Sequence, residues 1–173
     1  MSNILWKRLE ELVAKDIGGV TRPGSGRILG MEEDAVGGLL LVQCKSNQSG
    51  SVTIPKADMN DLGGHAMRDN KIPVMVGANR QTMNMDDYLA LIPKKHIEKI
   101  METIYFDLTE AESEQQMEID LNNGKTWSMP MTLSTMEFTV VNITEGREGD
   151  PWGDKAILMH RKEFLEAIEE GSL

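Results

Sequence analysis

A chain of 173 residues, 40% of them apolar, is long enough to bury a core, and its mean hydropathy of -0.33 contains no apolar run near the ~20 residues of a membrane span. A net charge of -10 argues against a general nucleic-acid coat protein. The single cysteine, Cys44, excludes an internal disulfide and a cysteine-cluster zinc site.

The opening MSNILWKRLEE lacks the basic, then apolar, then small pattern of a signal peptide, which points to a reducing cytoplasm. Ser2 or Asn3 can cap a helix to about Lys15, with Leu5, Leu9, Leu12 and Val13 on one face. Gly18 is its expected stop. Thr21–Arg27, TRPGSGR, reads as a loop. Ile28–Val36 and Leu39–Ser46 read as strands joined by a Gly37-Gly38 turn. A short strand at Val52–Ile54 follows, and Pro55 opens a helix to about Asn70. Ile72–Ala78 and Tyr88–Ile92 are expected strands. Pro93 starts an expected helix carrying Ile97, Ile100, Met101 and Ile104.

Residues 1–103 hold 13 basic and 13 acidic side chains, whereas residues 104–173 hold 5 and 15. The acidity therefore belongs to the C-terminal part, and a DNA-binding face on the first hundred residues stays open. Asp107–Glu118 reads as a short helix or a mobile linker. Phe138–Ile143 and Ala156–Met159 are expected strands, Glu145–Asp154 a loop and Lys162–Glu170 a helix. The strand-helix rhythm of DYLALIPKKHIEKIME returns in DKAILMHRKEFLEAIEE, which suggests a duplication. Alternating elements of both types imply an α/β protein. A boundary near residue 104 would divide a core, 1–104, from an acidic strand-helix extension or subdomain, 105–173.

A two-residue turn at Gly37-Gly38 would set Val36 opposite Leu39, Asp34 opposite Leu41 and Glu32 opposite Gln43. Glu32, Asp34, Gln43 and Lys45 then share one side of the hairpin, with Glu33, Val42 and Cys44 on the other. Oxygen donors beside an ammonium suit a hard cation against a phosphate. An ordinary solvated hairpin would show the same charges. Glu10 lies about 60° around its helix from Val13 and about 40° from Trp6, on the rim of the apolar face, with Glu11 further into solvent. It can be a solvated charge or a carboxylate reaching a site at the core's edge. The loop RPGSGR offers backbone N–H groups, a hydroxyl and two arginines to phosphates. Cys44 reads as a small buried apolar residue. His65, His96 and His160 lack zinc spacing and suit surface or capping roles. Trp127, Trp152 and the thirteen methionines suit packing or a partner surface.

WKRLEELVAKDIGGVTRPGSGR, EEDAV, LLLVQCKS and SVTIPKADMNDLGGHAMRDNKIPVMVGA together resemble the PD-(D/E)xK nucleases, and among them the archaeal-type Holliday-junction resolvases and their phage-encoded relatives. The resemblance covers residues 6–104. It implies a restriction-endonuclease-like mixed β-sheet core flanked by helices. Glu10 matches the helix glutamate, Asp34 the metal-binding aspartate, Gln43 the E/Q position and Lys45 the catalytic lysine. Ser25 and Gly26 match the loop beside the scissile phosphate. The resemblance thus implies Glu10, Asp34, Gln43, Lys45 and Ser25 as catalytic, and Glu10, Asp34 and Gln43 as ligands of Mg²⁺, with Mn²⁺ as a substitute. Arg22, Gly24, Ser25, Gly26, Arg27 and Lys56 would contact DNA. Two departures stand out: Glu33, not proline, precedes Asp34, and Gln43 brings no charge, so Glu10 or Glu32 would have to supply it.

The implied activity is endonucleolytic cleavage of DNA, most simply of four-way junctions, by a homodimer in the cytoplasm, the host's if the chain is phage-encoded. A restriction-like or end-processing nuclease is the second reading. A non-catalytic nuclease-fold module that binds DNA or protein is the third.

Overall fold

In the computed structural model, residues 2–21, 34–97, 116–132, 138–144 and 151–169 are described here. Helix α1 (Ser2–Asp16) leads into β1 (Val20–Thr21). Then come β2 (Ala35–Gly37), β3 (Leu40–Asn47), β4 (Val52–Pro55) and α2 (Lys56–Arg68). β5 (Ile72–Asn79), the short α3 (Arg80–Asn84), β6 (Leu89–Pro93) and a 3-10 turn (Lys94–His96) follow. The C-terminal part contributes β7 (Gln116–Asp120), β8 (Thr126–Met129), β9 (Phe138–Thr144), β10 (Lys155–His160) and α4 (Arg161–Glu169). Among the described residues no helix is long and apolar enough to cross a membrane.

Among the described residues eight strands form one mixed sheet in the order β1-β2-β3-β5-β6-β10-β9-β7. β3 and β5 run parallel, as do β7 and β9, and the other neighbours are antiparallel. The parallel β3–β5 pair needs a crossover, and α2 supplies it. β10 bonds to β6 along Ala156–His160, so residues on both sides of position 104 contribute strands to the same sheet.

Two apolar layers sandwich the sheet. On one side Leu9 and Val13 of α1, Ile17 just after it, and Phe164 and Ala167 of α4 cover Val42, Cys44, Val74, Val76, Ala90 and Ile157. On the other, Met59, Leu62 and Ala66 of α2 cover Leu41, Met75, Leu89 and Leu91. There the β4–β8 ribbon adds Val52, Ile54, Trp127 and Met129. Alternation along β3 (Leu41 to one layer, Val42 and Cys44 to the other) is what a strand buried on both faces requires. Trp152 is fully buried in the second layer, where its Nε1 donates to the Met59 carbonyl at 2.9 Å. It therefore serves the core.

Several expectations need correction. The hairpin turns at Gly38-Leu39, because the observed pairs are Val36↔Leu41 and Gly37↔Leu40, not Val36 with Leu39 or Asp34 with Leu41. Gly38 takes the left-handed conformation (φ 54) that this turn position favours. Gly37 is needed for a different reason: a Cβ there would lie 2.8 Å from the Ile17 carbonyl oxygen and 2.9 Å from the Gly19 Cα. β2 thus ends in backbone contact with the chain leaving α1, and the turn moves on by one residue. Pro55 ends β4 and caps α2 instead of opening it, and the helix stops at Arg68. The acidic stretch expected as helix or linker contributes Gln116–Glu118 to β7. β8 and α3 had no expectation; α3 is started by a reciprocal Asn79–Thr82 capping box. After Pro93 the chain makes only a 3-10 turn within the described residues; Ile100, Met101 and Ile104 lie outside them. So do 107–115 and the first residues of the strand expected at 28–36.

A side chain at position 37 should therefore be costly. Gly37→Ala is expected to destabilise the fold by about 2 kcal/mol or more. Urea denaturation checks this, and an unchanged midpoint would contradict the close approach of α1 and β2.

Candidate active site

Glu10 and Asp34 come together from elements 24 positions apart. Leu9 and Val13 are fully buried, and they carry the neighbouring Glu10 to the edge of the α1 layer, where it is half-buried. Asp34 precedes β2 and is only 3% exposed. Its Oδ2 accepts a 2.7 Å hydrogen bond from the Cys44 amide, and its own amide donates to the Val42 carbonyl. A side-chain oxygen thus satisfies a β3 amide where the hairpin begins.

The Glu10 carboxyl hydrogen-bonds Asp34, while Glu10 Oε1 is buried without a hydrogen-bond partner. Burial, then the hydrogen bond to Asp34 and its negative charge, push Glu10 from 4.5 up to about 8. Two carboxyls in contact cannot both be charged cheaply, so near neutrality Glu10 keeps its proton and donates it to Asp34. Beside them the buried Cys44 thiol is pushed well above its usual range by burial, then by Asp34 and Glu10. It is an inert core residue, as expected from sequence.

Gln43 is half-buried on β3, across from Met75 of β5. Lys45, two residues on, forms a 2.5 Å ion pair with Asp58 in the first turn of α2. Lys45 is thus held toward α2, whereas Glu10 meets Asp34 from the α1 side of the sheet. Asp58 had no expected role. Its position just after Pro55, in the first turn of a helix, signalled only a favourable contact with the helix dipole.

The remaining expected contacts divide. Arg22, Gly24, Ser25, Gly26 and Arg27 lie outside the described residues, as do Glu32 and Glu33. The Lys56 ammonium donates to the Asn123 carbonyl in the turn between β7 and β8, and its backbone amide donates to the Lys125 carbonyl. Lys56 therefore ties α2 to that turn. Among the described residues no three His, Cys, Asp or Glu side chains form a group that could hold a metal ion. A cation here would draw on the Glu10–Asp34 pair, whereas Gln43, between Val42 and Cys44 on β3, alternates to the α2 side with Leu41 and Lys45. The orphaned Glu10 oxygen fits such a ligand, because coordination would satisfy the buried acceptor and relieve the repulsion.

A second polar cluster joins the far ends of the chain. Arg161 grips Asp16 with two bonds, Nε–Oδ2 at 2.7 Å and Nη2–Oδ1 at 2.8 Å, and the Tyr88 hydroxyl donates to the same Oδ2 at 2.7 Å. Next to it His160 Nδ1 lies 3.0 Å from Asp87 Oδ2. The Asp87 hydrogen bond raises His160 above its usual value. Sequence reasoning gave His160 a surface or capping role; partly exposed at the end of β10, it bonds Asp87 in the turn before β6.

No protein-family model, curated protein or solved structure matches the chain.

The carboxyl pair makes stability depend on pH. A Glu10 value raised from 4.5 to about 8 means the unfolded chain releases this proton first, so stability falls between those pH values as pH rises. Glu10→Gln removes that penalty. In EDTA it should melt closer to wild type at pH 5 and higher at pH 8, by about 1 kcal/mol after allowance for solvent screening, or roughly 2–4 °C. Parallel melting curves at both pH values would contradict the shared proton.

Proposed function

We propose that this chain is a metal-dependent DNA endonuclease of the PD-(D/E)xK type, on a restriction-endonuclease-like core, and that its substrate is branched DNA such as a four-way junction. The observation that carries the reading is the contact between the Glu10 carboxyl and the buried Asp34, at the start of a hairpin whose second strand bears Gln43 and Lys45. The order of these residues and their spacing are those of the resemblance drawn from sequence. A buried carboxyl pair with an unsatisfied oxygen is an expensive arrangement for a purely structural corner. It is a common arrangement where charge is managed for chemistry.

In this reading Glu10 and Asp34 would hold Mg²⁺, with Mn²⁺ able to substitute. When bound, the metal supplies Lewis acidity and a more acidic water for phosphodiester hydrolysis. The protein's own contributions follow from its residues. Asp34, fixed by the Cys44 amide, gives a carboxylate whose direction does not drift. Glu10 would release its proton to serve as a ligand, so metal binding and deprotonation would be linked. Gln43 brings no charge, which leaves the Asp34 and Glu10 charges to balance the cation. Lys45 stabilises negative charge developing on the phosphate. The segment 22–27 supplies amides and arginines to the DNA backbone. Cutting both strands of a symmetric junction requires two sites, which a homodimer provides.

Cleavage of a labelled four-way junction beside a linear duplex of matching sequence, with Mg²⁺, Mn²⁺ or EDTA, tests this directly. Metal-dependent paired cuts in the junction are expected. Asp34→Asn and Lys45→Ala should each lower the rate by at least about a hundredfold, with circular dichroism unchanged. Cutting of both substrates would indicate a broader nuclease of the same type. No cutting with either metal would leave a binding module in place of an enzyme.

A further inference from the structure

We propose that Asp58 is a positioning residue that latches Lys45 and is exchanged for a DNA phosphate when substrate binds. The inference rests on the nuclease reading and goes beyond it, because no part of that reading assigns a role to Asp58.

The geometry is direct. Lys45 Nζ lies 2.5 Å from Asp58 Oδ2, and the two side chains are 27% and 33% exposed. The pair is therefore closed but reachable from solvent. Asp58 sits in the first turn of α2, where the unpaired backbone amides favour a carboxylate. When Lys45 departs, Asp58 keeps that helix end and water as partners, so opening the pair strands no buried charge. Lys45, in contrast, carries three donors on a flexible stem and readily changes its acceptor. An ion pair reached by solvent contributes little, whereas an ammonium bonded to a phosphate anion gains a charge-assisted contact. The exchange thus runs toward phosphate.

Two consequences follow for the site. Without DNA, Asp58 holds the Lys45 ammonium at α2 instead of letting it sweep freely. With DNA, Lys45 makes its phosphate contact only by giving up Asp58, so part of the binding energy is spent on opening the latch. Asp58 accordingly weakens binding while it orders the lysine.

The test is the affinity of the full-length chain for a labelled four-way DNA junction in EDTA at fixed low salt. Asp58→Asn should tighten binding about threefold. In a Lys45→Ala background the same change should have no effect, since no latch remains to open. Asp58→Glu, which can still reach the ammonium, should behave like wild type. Asp61→Asn removes an exposed carboxylate one turn along α2 and reports the general field. Tightening by Asp58→Asn that persists without Lys45, or that Asp61→Asn matches, would overturn the latch and leave a plain charge effect. A wild-type chain that cuts junctions while Asp58→Asn binds them no more tightly would overturn the latch alone. A wild-type chain that binds no DNA would overturn the nuclease reading and the latch together.

Discussion

The hydrogen bond from the Cys44 amide to the buried Asp34 carboxylate is the interaction around which the N-terminal half is organised. It ends the β2–β3 ladder with a side chain in place of a carbonyl, and so brings a carboxylate into the layer beneath α1. Once Asp34 is there, Glu10 must meet it as a protonated partner. An uncompensated pair of carboxylates in that position would cost several kcal/mol. The Cys44 thiol on β3 stays protonated because burial, and then the neighbouring Asp34 and Glu10, push it up.

That corner keeps its shape because its surroundings cannot shift. β2 touches the chain leaving α1 through Gly19 and Gly37, whose missing side chains permit backbone contact. α1 is then fastened at its far end, where Asp16 receives Arg161 and Tyr88. Residues 16 and 161 lie 145 positions apart, so this bond makes the first helix depend on the last strand and helix. An aspartate at a helix C-terminus is unfavourable against the helix dipole, and the guanidinium offsets it. Position 104 divides the chain by charge. By hydrogen bonding, β10 against β6 joins the two parts.

Charge placement around β3 also gives Gln43 a physical reading. With Asp34 and Glu10 on one side and Asp58 on the other, a third carboxylate at position 43 would add repulsion with only Lys45 to balance it. A carboxamide keeps an oxygen donor and avoids that repulsion. The neutral residue is thus consistent with a site whose acidity is carried by its neighbours.

Much of the fold was legible from the residues themselves. Period-3.6 spacing of Leu5, Leu9, Leu12 and Val13 marked α1, and unbroken apolar runs marked β5 and β6, because local geometry alone dictates which positions are buried. The mixed α/β class followed from their alternation. Glu10, Asp34, Gln43 and Lys45 were identified as candidates by residue type and order. What stayed hidden depended on distant partners. Gly37 could not be told from Gly38 as the turn residue, since the difference lies in its contact with Ile17 and Gly19. β7 (QMEID) and β8 (TWSM) are short and mix polar with apolar residues, and their strand conformation comes from pairing with β9 and β4. Neither the shared proton of Glu10 and Asp34 nor the Lys45–Asp58 pair has a local signature. The sequence by itself therefore determined the elements with a strong apolar pattern, such as α1, β5 and β6, and which side chains could do chemistry, because these follow from neighbours within a turn or two. Only the tertiary structure decided which charges meet, because an ion pair is set by distance in space and not along the chain.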